Sequence, residues 1–215
     1  MDNQQHVCVI TATKGTPIAR FLFAHGAGAG MDNDFMLKVA EMLAAQQIEV
    51  VRFNFPYMQI MSESGKRRPP NRMPILLEYF AEQVSQLDDG LPLFIGGKSM
   101  GGRAATMLAT EPELKNALKG VVALGYPFHP SGKPDKLRID HLPALQVPAL
   151  IIQGDRDSMG SQAEIAGYDL PDELELVYLT DGEHSFKPRK ASGVTLQDNL
   201  VTAVTNMVRF IQQHS

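Results

Sequence analysis

The sequence contains a single cysteine, Cys8, among its 215 residues. One thiol excludes an intrachain disulfide and any metal site built from several thiolates. Because Cys8 lies in an apolar stretch rich in β-branched residues, we expect its side chain to be buried and unreactive. We predict no metal ion and no cofactor for this chain.

The chain also lacks long apolar runs and a strong excess of charge. No stretch approaches the ~20 apolar residues of a transmembrane helix, and the first five residues lack the basic start and apolar run of a signal peptide. A net charge of −4 at pH 7 gives no reason to expect nucleic acid or an anionic membrane as a partner. Hydrophobic and charged contents of 44% and 20% are typical of globular proteins. We expect a soluble cytoplasmic protein with one domain over residues 1–215.

Short apolar, β-branched runs alternate with helical patterns along the chain. Apolar residues recur at i,i+4 spacing in Phe35–Leu43, Leu76–Val84 and Leu196–Ile211, and Thr195 with Asp198 resembles a capping box before the last of these helices. The alternation predicts an α/β fold: a mostly parallel sheet of about seven strands with helices on both faces. The predicted strands are Val7–Ala12, Arg20–Ala24, Ile48–Phe53, Leu91–Gly96, Gly120–Leu124, Ala149–Gln153 and Glu175–Leu179.

Two segments, Met58–Arg72 and His129–Val147, contain prolines and glycines and lack a regular pattern. We predict that both are irregular. A chain of 215 residues leaves no room for a large lid domain.

The segment Gly97-Lys98-Ser99-Met100-Gly101 lies between a predicted strand and a run of good helix formers, Arg103–Ala109. Strand, Gly-x-Ser-x-Gly and helix in this order are typical of a nucleophile elbow, a sharp turn that exposes the serine. Glycines are needed at 97 and 101 because a side chain there would collide with the neighbouring strand or helix. The pentapeptide alone is a weak signal, so the prediction depends on the loops that accompany it.

Loops after later strands contain the base and the acid that a nucleophilic serine requires. Asp155 and Asp157 follow the sixth predicted strand, and His184 follows the seventh. We favour Asp157 because an acid placed beyond the end of the strand can turn back towards His184, whereas Asp155 suits the turn itself. Ser99, Asp157 and His184 form the predicted catalytic triad.

The loop after the second predicted strand reads His25-Gly26-Ala27-Gly28-Ala29-Gly30. Its small residues allow close backbone approach, so the Ala27 N–H and the Met100 N–H at the start of a helix are the predicted oxyanion donors. A phosphate-binding loop is the competing interpretation. Its G-x-G-x-x-G spacing is absent, and Pro92 stands where a Walker sequence would need glycine.

Basic side chains accompany the predicted site. Lys98 and Arg103 are next to the serine, and Lys66–Arg68 and Lys187–Lys190 belong to segments expected at the same edge of the sheet. They favour an acyl substrate that carries a carboxylate or phosphate, and the alternative is that these charges are solvated loop residues. His129 is a further candidate for contact with substrate, with an ordinary loop residue as its alternative.

Four segments together resemble the α/β-hydrolase superfamily over nearly the whole chain: His25–Asp32, Phe55–Tyr57, Gly97–Arg103 and His184–Pro188. The chain is similar to a compact, lidless group related to dienelactone hydrolases. It also resembles the hydrolase-like domain in a subunit of a nuclear histone-acetyltransferase complex and in a testis-expressed protein. The resemblance implies the same triad and oxyanion donors. Dienelactone hydrolases usually use cysteine as nucleophile, and this sequence has Ser99.

Two functions of different classes are open at this point, and acyl transfer to an acceptor other than water is a variant of the first that differs only in its second half-reaction. The first is a serine hydrolase that cleaves an ester, thioester or related acyl bond of a small molecule through an acyl-enzyme. The second is a catalytically silent hydrolase-like domain that binds a protein or another ligand through the same cleft. All three triad residue types favour the first.

Overall fold

A seven-stranded sheet forms the centre of the computed structural model, which describes residues 8–87 and 89–215. The strand order is β1-β3-β2-β4-β5-β6-β7; β1 pairs antiparallel with β3, and every other neighbouring pair is parallel. The strands are β1 (Cys8–Thr11), β2 (Ala19–Ala24), β3 (Ile48–Phe53), β4 (Leu93–Lys98), β5 (Gly120–Leu124), β6 (Ala149–Gly154) and β7 (Leu174–Leu179).

Helices cover both faces of this sheet. They are α1 (Asp34–Ala44), α2 (Pro56–Ser64), α3 (Met73–Ser85), α4 (Met100–Leu108), α5 (Gln162–Ile165) and α6 (Leu196–His214). Buried side chains of α2, α3 and α4 form one core cluster, and those of α1 and α6 form a second on the other face. The predicted α/β fold is therefore confirmed.

The central strands are mostly apolar because both of their faces are covered; the exceptions, Lys98 and Gln153, lie near the carboxyl ends of β4 and β6. Every residue of β4, β5 and β6 is buried, as is typical of parallel strands between two helical layers. The chain moves outwards from β2 to β3 and then crosses back to β4 on the other side of β2. Loops after β2 and β4 therefore leave the sheet side by side at its switch point, where open α/β sheets bind ligands.

The helix signals in the sequence correspond to real helix ends. The predicted capping box is present at α6, where the Thr195 side chain accepts from the Asp198 N–H and the Asp198 side chain accepts from the Thr195 N–H. At α1, the Asn33 side chain accepts from the N–H groups of Phe35 and Met36. These contacts satisfy first-turn N–H groups that have no intrahelical acceptor.

The prediction that Met58–Arg72 is irregular was wrong over its first part. Residues up to Ser64 belong to α2, which starts at Pro56 and is followed by Gly65 with φ 68°. Proline in the first turn and a left-handed glycine after the last are a helix start and stop. Residues 65–72 have no regular structure, and His129–Val147 contains only the short 3-10 helix Leu142–Ala144.

At the amino terminus, Val7 and the residues before it lie outside the described part of the chain. Cys8 is half-buried rather than buried, and its Sγ donates to Gln83 Oε1 at 3.0 Å. Burial raises the pKa of the Cys8 thiol, which lowers its reactivity at neutral pH. Across residues 8–87 and 89–215, no helix has the length and apolar character needed to cross a membrane.

Candidate active site

Ser99 occupies the turn between β4 and α4 with a strained backbone. Its φ of 52° and ψ of −112° are unfavourable for a residue with a side chain. Two hydrogen bonds hold the turn: the Ser99 N–H donates to Leu124 O at 2.9 Å, and Ser99 O accepts from the Arg103 N–H at 3.0 Å. The serine side chain therefore leaves the carboxyl edge of the central strand, as the sequence predicts for a nucleophile elbow.

Both glycines of the elbow are required by close backbone contacts. A Cβ at position 97 would lie 2.3 Å from the carbonyl carbon of Gly101, and one at position 101 would lie 2.5 Å from Ala24 O. Such distances are far inside van der Waals contact. The collision that the sequence predicts for side chains at these two positions is confirmed.

The structure brings Ser99, His184 and Asp157 together in hydrogen-bonded order. His184 Nε2 lies 2.8 Å from Ser99 Oγ, and His184 Nδ1 lies 2.7 Å from Asp157 Oδ2. Because ionised Asp157 can only accept, the ring proton of neutral His184 belongs on Nδ1 and leaves Nε2 free to accept from the serine hydroxyl. This arrangement has the geometry of a serine nucleophile with its base and orienting acid.

Asp157 is held without access to solvent. Its side chain is 0% exposed, and Oδ1 accepts from the Met159 N–H at 2.8 Å. Oδ2 accepts from Gln153 Nε2 at 2.9 Å in addition to His184. Asp155, the alternative acid, turns away and accepts from the Asp181 N–H at 2.9 Å. Gln153 was not identified from the sequence, although a buried amide at the end of an apolar strand is a signal for such a contact.

The glycine-rich loop after β2 lies against the elbow. A Cβ at Gly26 would be 3.7 Å from Ser99 Cβ. Ala27 and Met100 line the same pocket as Ser99. Within the described residues the Ala27 N–H has no hydrogen-bond acceptor, and the Met100 N–H at the first position of α4 has no intrahelical acceptor. Both predicted donors are therefore available to an oxygen atom bound beside Ser99.

Two side chains to which the sequence analysis gave no role hold this loop. His25 Nε2 accepts from the Phe55 N–H at 3.0 Å, so its proton is on Nδ1, which donates to Gly26 O at 2.7 Å. Tyr57 OH donates to Ala27 O at 3.0 Å. Burial lowers the pKa of His25 to about 4, and the ring stays neutral at pH 7. The carbonyl groups of Gly26 and Ala27 are thus held by hydrogen bonds to these two side chains.

A cavity of about 330 Å³ opens at Ser99. Its apolar wall consists of Met73, Leu76, Met100, Pro127 and Met159, and its polar wall contains Asn71, Arg103 and Arg138. This volume suits a small ligand. The cavity combines apolar surface and cationic groups beside one nucleophile.

Known proteins resemble this chain in sequence pattern and in structure. The sequence pattern of the family described as "Alpha/beta hydrolase domain" matches residues 17–212.

The chain belongs to the α/β-hydrolase domain family.

Several solved structures have a similar architecture. A dienelactone hydrolase from Anabaena variabilis is 21% identical, with a TM-score of 0.70 over 96% of this chain and 91% of that one. A lidless α/β serine hydrolase from Xanthomonas campestris is 18% identical, with a TM-score of 0.69 over 96% and 88%. Est1E from Butyrivibrio proteoclasticus, with ferulic acid bound, is 15% identical, with a TM-score of 0.70 over 97% and 94%. At these identities the likeness concerns the fold; the resemblance to the nuclear complex subunit stays a prediction.

Of the three candidate substrate-binding residues, the structure places only Arg103 in the pocket. Lys98 is buried on the other side of the elbow, where its Nζ donates to His184 O at 2.7 Å and lies 5.8 and 5.9 Å from the ring centroids of Phe35 and Phe186. Successive residues of a strand point to opposite faces, so Lys98 and Ser99 diverge. We therefore withdraw Lys98 as a substrate contact. Burial lowers its pKa to about 8.

His129 is buried behind the pocket wall and not in it. Its Nδ1 lies 2.9 Å from Pro130 O, and its Nε2 lies 3.5 Å from Glu164 Oε1. Because His129 does not line the cavity, and its ring faces Pro130 and Glu164 instead, it is not a substrate contact. In its place the structure adds Arg138, which the sequence does not distinguish from the other basic residues of the same irregular segment.

Proposed function

We propose that this chain is a serine hydrolase that cleaves an ester, thioester or related acyl bond of a small molecule. The observation that carries the proposal is the continuous hydrogen-bonded chain from buried Asp157 through His184 to Ser99 Oγ, with distances of 2.7 and 2.8 Å. Its support also includes membership of the α/β-hydrolase family and a cavity that opens at the serine.

In the first half-reaction, Ser99 Oγ attacks the substrate carbonyl carbon while His184 Nε2 takes the hydroxyl proton. The carbonyl oxygen becomes an oxyanion that accepts from the Ala27 and Met100 N–H groups. Asp157 stabilises the resulting imidazolium and fixes its orientation. The carbon–oxygen or carbon–sulfur bond then breaks, and His184 gives the proton to the departing alcohol or thiol.

In the second half-reaction, water attacks the Ser99 ester. His184 removes a proton from this water, and a second tetrahedral oxyanion forms in the same two-donor site. When the bond to Ser99 Oγ breaks, His184 returns the proton to the serine. The products are a free carboxylic acid and the original enzyme, so one water is consumed per acyl bond and no cofactor takes part.

The shape of the site favours a short or compact acyl group. An opening of about 330 Å³ is near the lower limit of small-molecule pockets. The methionine and leucine side chains on one wall would remove apolar parts of the acyl group from water. The flexible thioether chains can also adapt to different acyl shapes.

Hydrolysis of p-nitrophenyl acetate and butyrate tests the proposal. We expect Ser99→Ala to abolish turnover and Asp157→Asn to reduce kcat by about 10³- to 10⁴-fold, because the amide would favour the wrong imidazole tautomer. The matched control is Asp155→Asn, two residues away. Its side-chain oxygen can still accept from the Asp181 N–H, so we expect a rate within about threefold of the original enzyme.

Folded protein that hydrolyses neither ester, or that retains full activity after Ser99→Ala, would contradict the proposed function. The first result would favour the alternative, a catalytically silent binding domain. Circular dichroism of each variant separates a loss of chemistry from a loss of fold.

A further inference from the structure

The two arginines of the pocket have no carboxylate partner. Arg103 and Arg138 form no ion pair within residues 8–87 and 89–215, although both line the Ser99 cavity. Five arginines elsewhere in the structure are paired with Asp or Glu: Arg20, Arg52, Arg156, Arg189 and Arg209. The other three, Arg67, Arg68 and Arg72, are also unpaired in this part of the chain, but they are exposed to solvent. The pocket therefore contains positive charge that the protein itself does not neutralise.

The two guanidinium groups are close enough to affect each other. Burial and the charge of Arg103 hold the pKa of Arg138 below its ordinary value. Burial and the same Arg103 charge lower the pKa of nearby His141 to about 4, so this histidine is neutral at pH 7. Arg103 Nε is buried without a hydrogen-bond partner. A buried donor without an acceptor is costly, so the protein does not supply the full set of acceptors that this guanidinium can use.

Both arginines are attached to rigid parts of the site. Arg103 lies in the first turn of α4, where its N–H donates to Ser99 O at 3.0 Å. The Arg138 N–H donates to Phe128 O at 2.8 Å, and Arg138 O accepts from Tyr126 OH at 2.6 Å. Burial raises the pKa of Tyr126 to about 12, so this phenol stays a donor. The backbone of each arginine is thus positioned before a ligand arrives.

We propose that Arg103 and Arg138 form a subsite for an anionic group, a carboxylate or a phosphate, carried by the acyl substrate. The inference rests on the proposed hydrolase function and adds the substrate class. A guanidinium binds either oxyanion through paired N–H donors, and two guanidiniums in one cavity can neutralise a dianion. The apolar wall would contact the part of the substrate between this anion and the scissile carbonyl.

Three p-nitrophenyl esters with acyl chains of similar length test the subsite. The first is neutral p-nitrophenyl hexanoate, the second is mono-p-nitrophenyl adipate with a terminal carboxylate, and the third has a terminal phosphonate. We expect kcat/KM for at least one anionic ester to exceed that of the neutral ester by about 10- to 100-fold at low salt. The preferred anion identifies the group that the subsite takes, and added salt should reduce the preference.

Substitutions locate the preference. We expect Arg138→Gln and Arg103→Gln each to bring the ratio of anionic to neutral kcat/KM close to one, and Arg138→Lys to retain part of it. The matched control is Lys133→Gln, which removes an exposed positive charge from the same loop outside the pocket and should leave the ratio unchanged. The ratio within one variant is insensitive to a general loss of folded protein.

Equal kcat/KM values for the three esters, with Ser99-dependent hydrolysis of all of them, would overturn the subsite and leave the proposed function intact. If no ester is hydrolysed, the proposed function fails, and calorimetric titration with monomethyl adipate and with inorganic phosphate decides the subsite. Binding that is lost in Arg138→Gln but kept in Lys133→Gln would support it. No binding of either anion to the folded protein would overturn it.

Discussion

Acidification should weaken this fold through His25, the buried histidine of the glycine-rich loop. Its side chain is fully buried, and Nε2 accepts from the Phe55 N–H. A proton on Nε2 would turn this acceptor into a donor that faces the Phe55 N–H. Burial therefore lowers the pKa of His25 from 6.5 to about 4.

The sign and size of the effect follow from proton linkage. Between pH 6.5 and about 4 the unfolded chain holds a proton on this histidine and the folded chain does not, so the free energy of unfolding falls as the pH falls through this window. The full difference of about 2.5 pKa units corresponds to about 3 kcal/mol, which is a large part of the 5–15 kcal/mol of a typical domain. Above pH 6.5 the contribution is constant.

Urea unfolding at several pH values between 7 and 4 measures this contribution when the original protein is compared with His25→Gln. The glutamine amide offers a donor and an acceptor but does not titrate. We expect the original protein to lose about 3 kcal/mol more than the variant over this range. Other titrating groups, including His141, are common to both proteins and cancel in the difference. Parallel pH profiles for the two proteins would refute the reasoning.

Two further substitutions test the elbow and its support. Gly101→Ala should lower the free energy of unfolding by about 1–3 kcal/mol and impair hydrolysis, because its Cβ would lie 2.5 Å from Ala24 O. The control is Gly28→Ala, which should have neither effect because its Cβ would meet no atom within 4 Å. Thermal unfolding and ester hydrolysis measure both, and equal behaviour of the two variants would contradict the packing argument. Lys98→Met should reduce kcat by about 10- to 100-fold with little change in KM, because it removes the 2.7 Å donor to His184 O while filling the same space. An unchanged kcat would show that this contact does not position the histidine.

The strands of the sheet were predictable because buried strands have short runs of apolar, β-branched residues. Gly120–Leu124 has the observed bounds of β5, and Ile48–Phe53 those of β3. A strand buried on both faces is mostly apolar, and short β-branched runs therefore stand out from the helical patterns around them. The proximity of the loops that contain the serine, the acid and the histidine was predictable for a related reason, since parallel strands bring their carboxyl ends to one edge of the sheet.

The direction of single side chains was not predictable. Lys98 is adjacent to Ser99 in sequence, yet the end of β4 turns its side chain towards the opposite face. Arg138 enters the pocket because Tyr126 and Phe128 bind its backbone, a contact that no local pattern encodes. Such placements depend on the tertiary arrangement of loops. Helix α2 was missed for another reason, since its polar carboxyl-terminal half is exposed and obscures the apolar pattern.

Labelling with a fluorophosphonate, followed by peptide mass spectrometry, measures whether His184 activates Ser99. We predict one adduct per molecule on Ser99 in the original protein and much slower labelling in His184→Ala. Folded protein that gives no adduct, or that reacts at the same rate without His184, would contradict it.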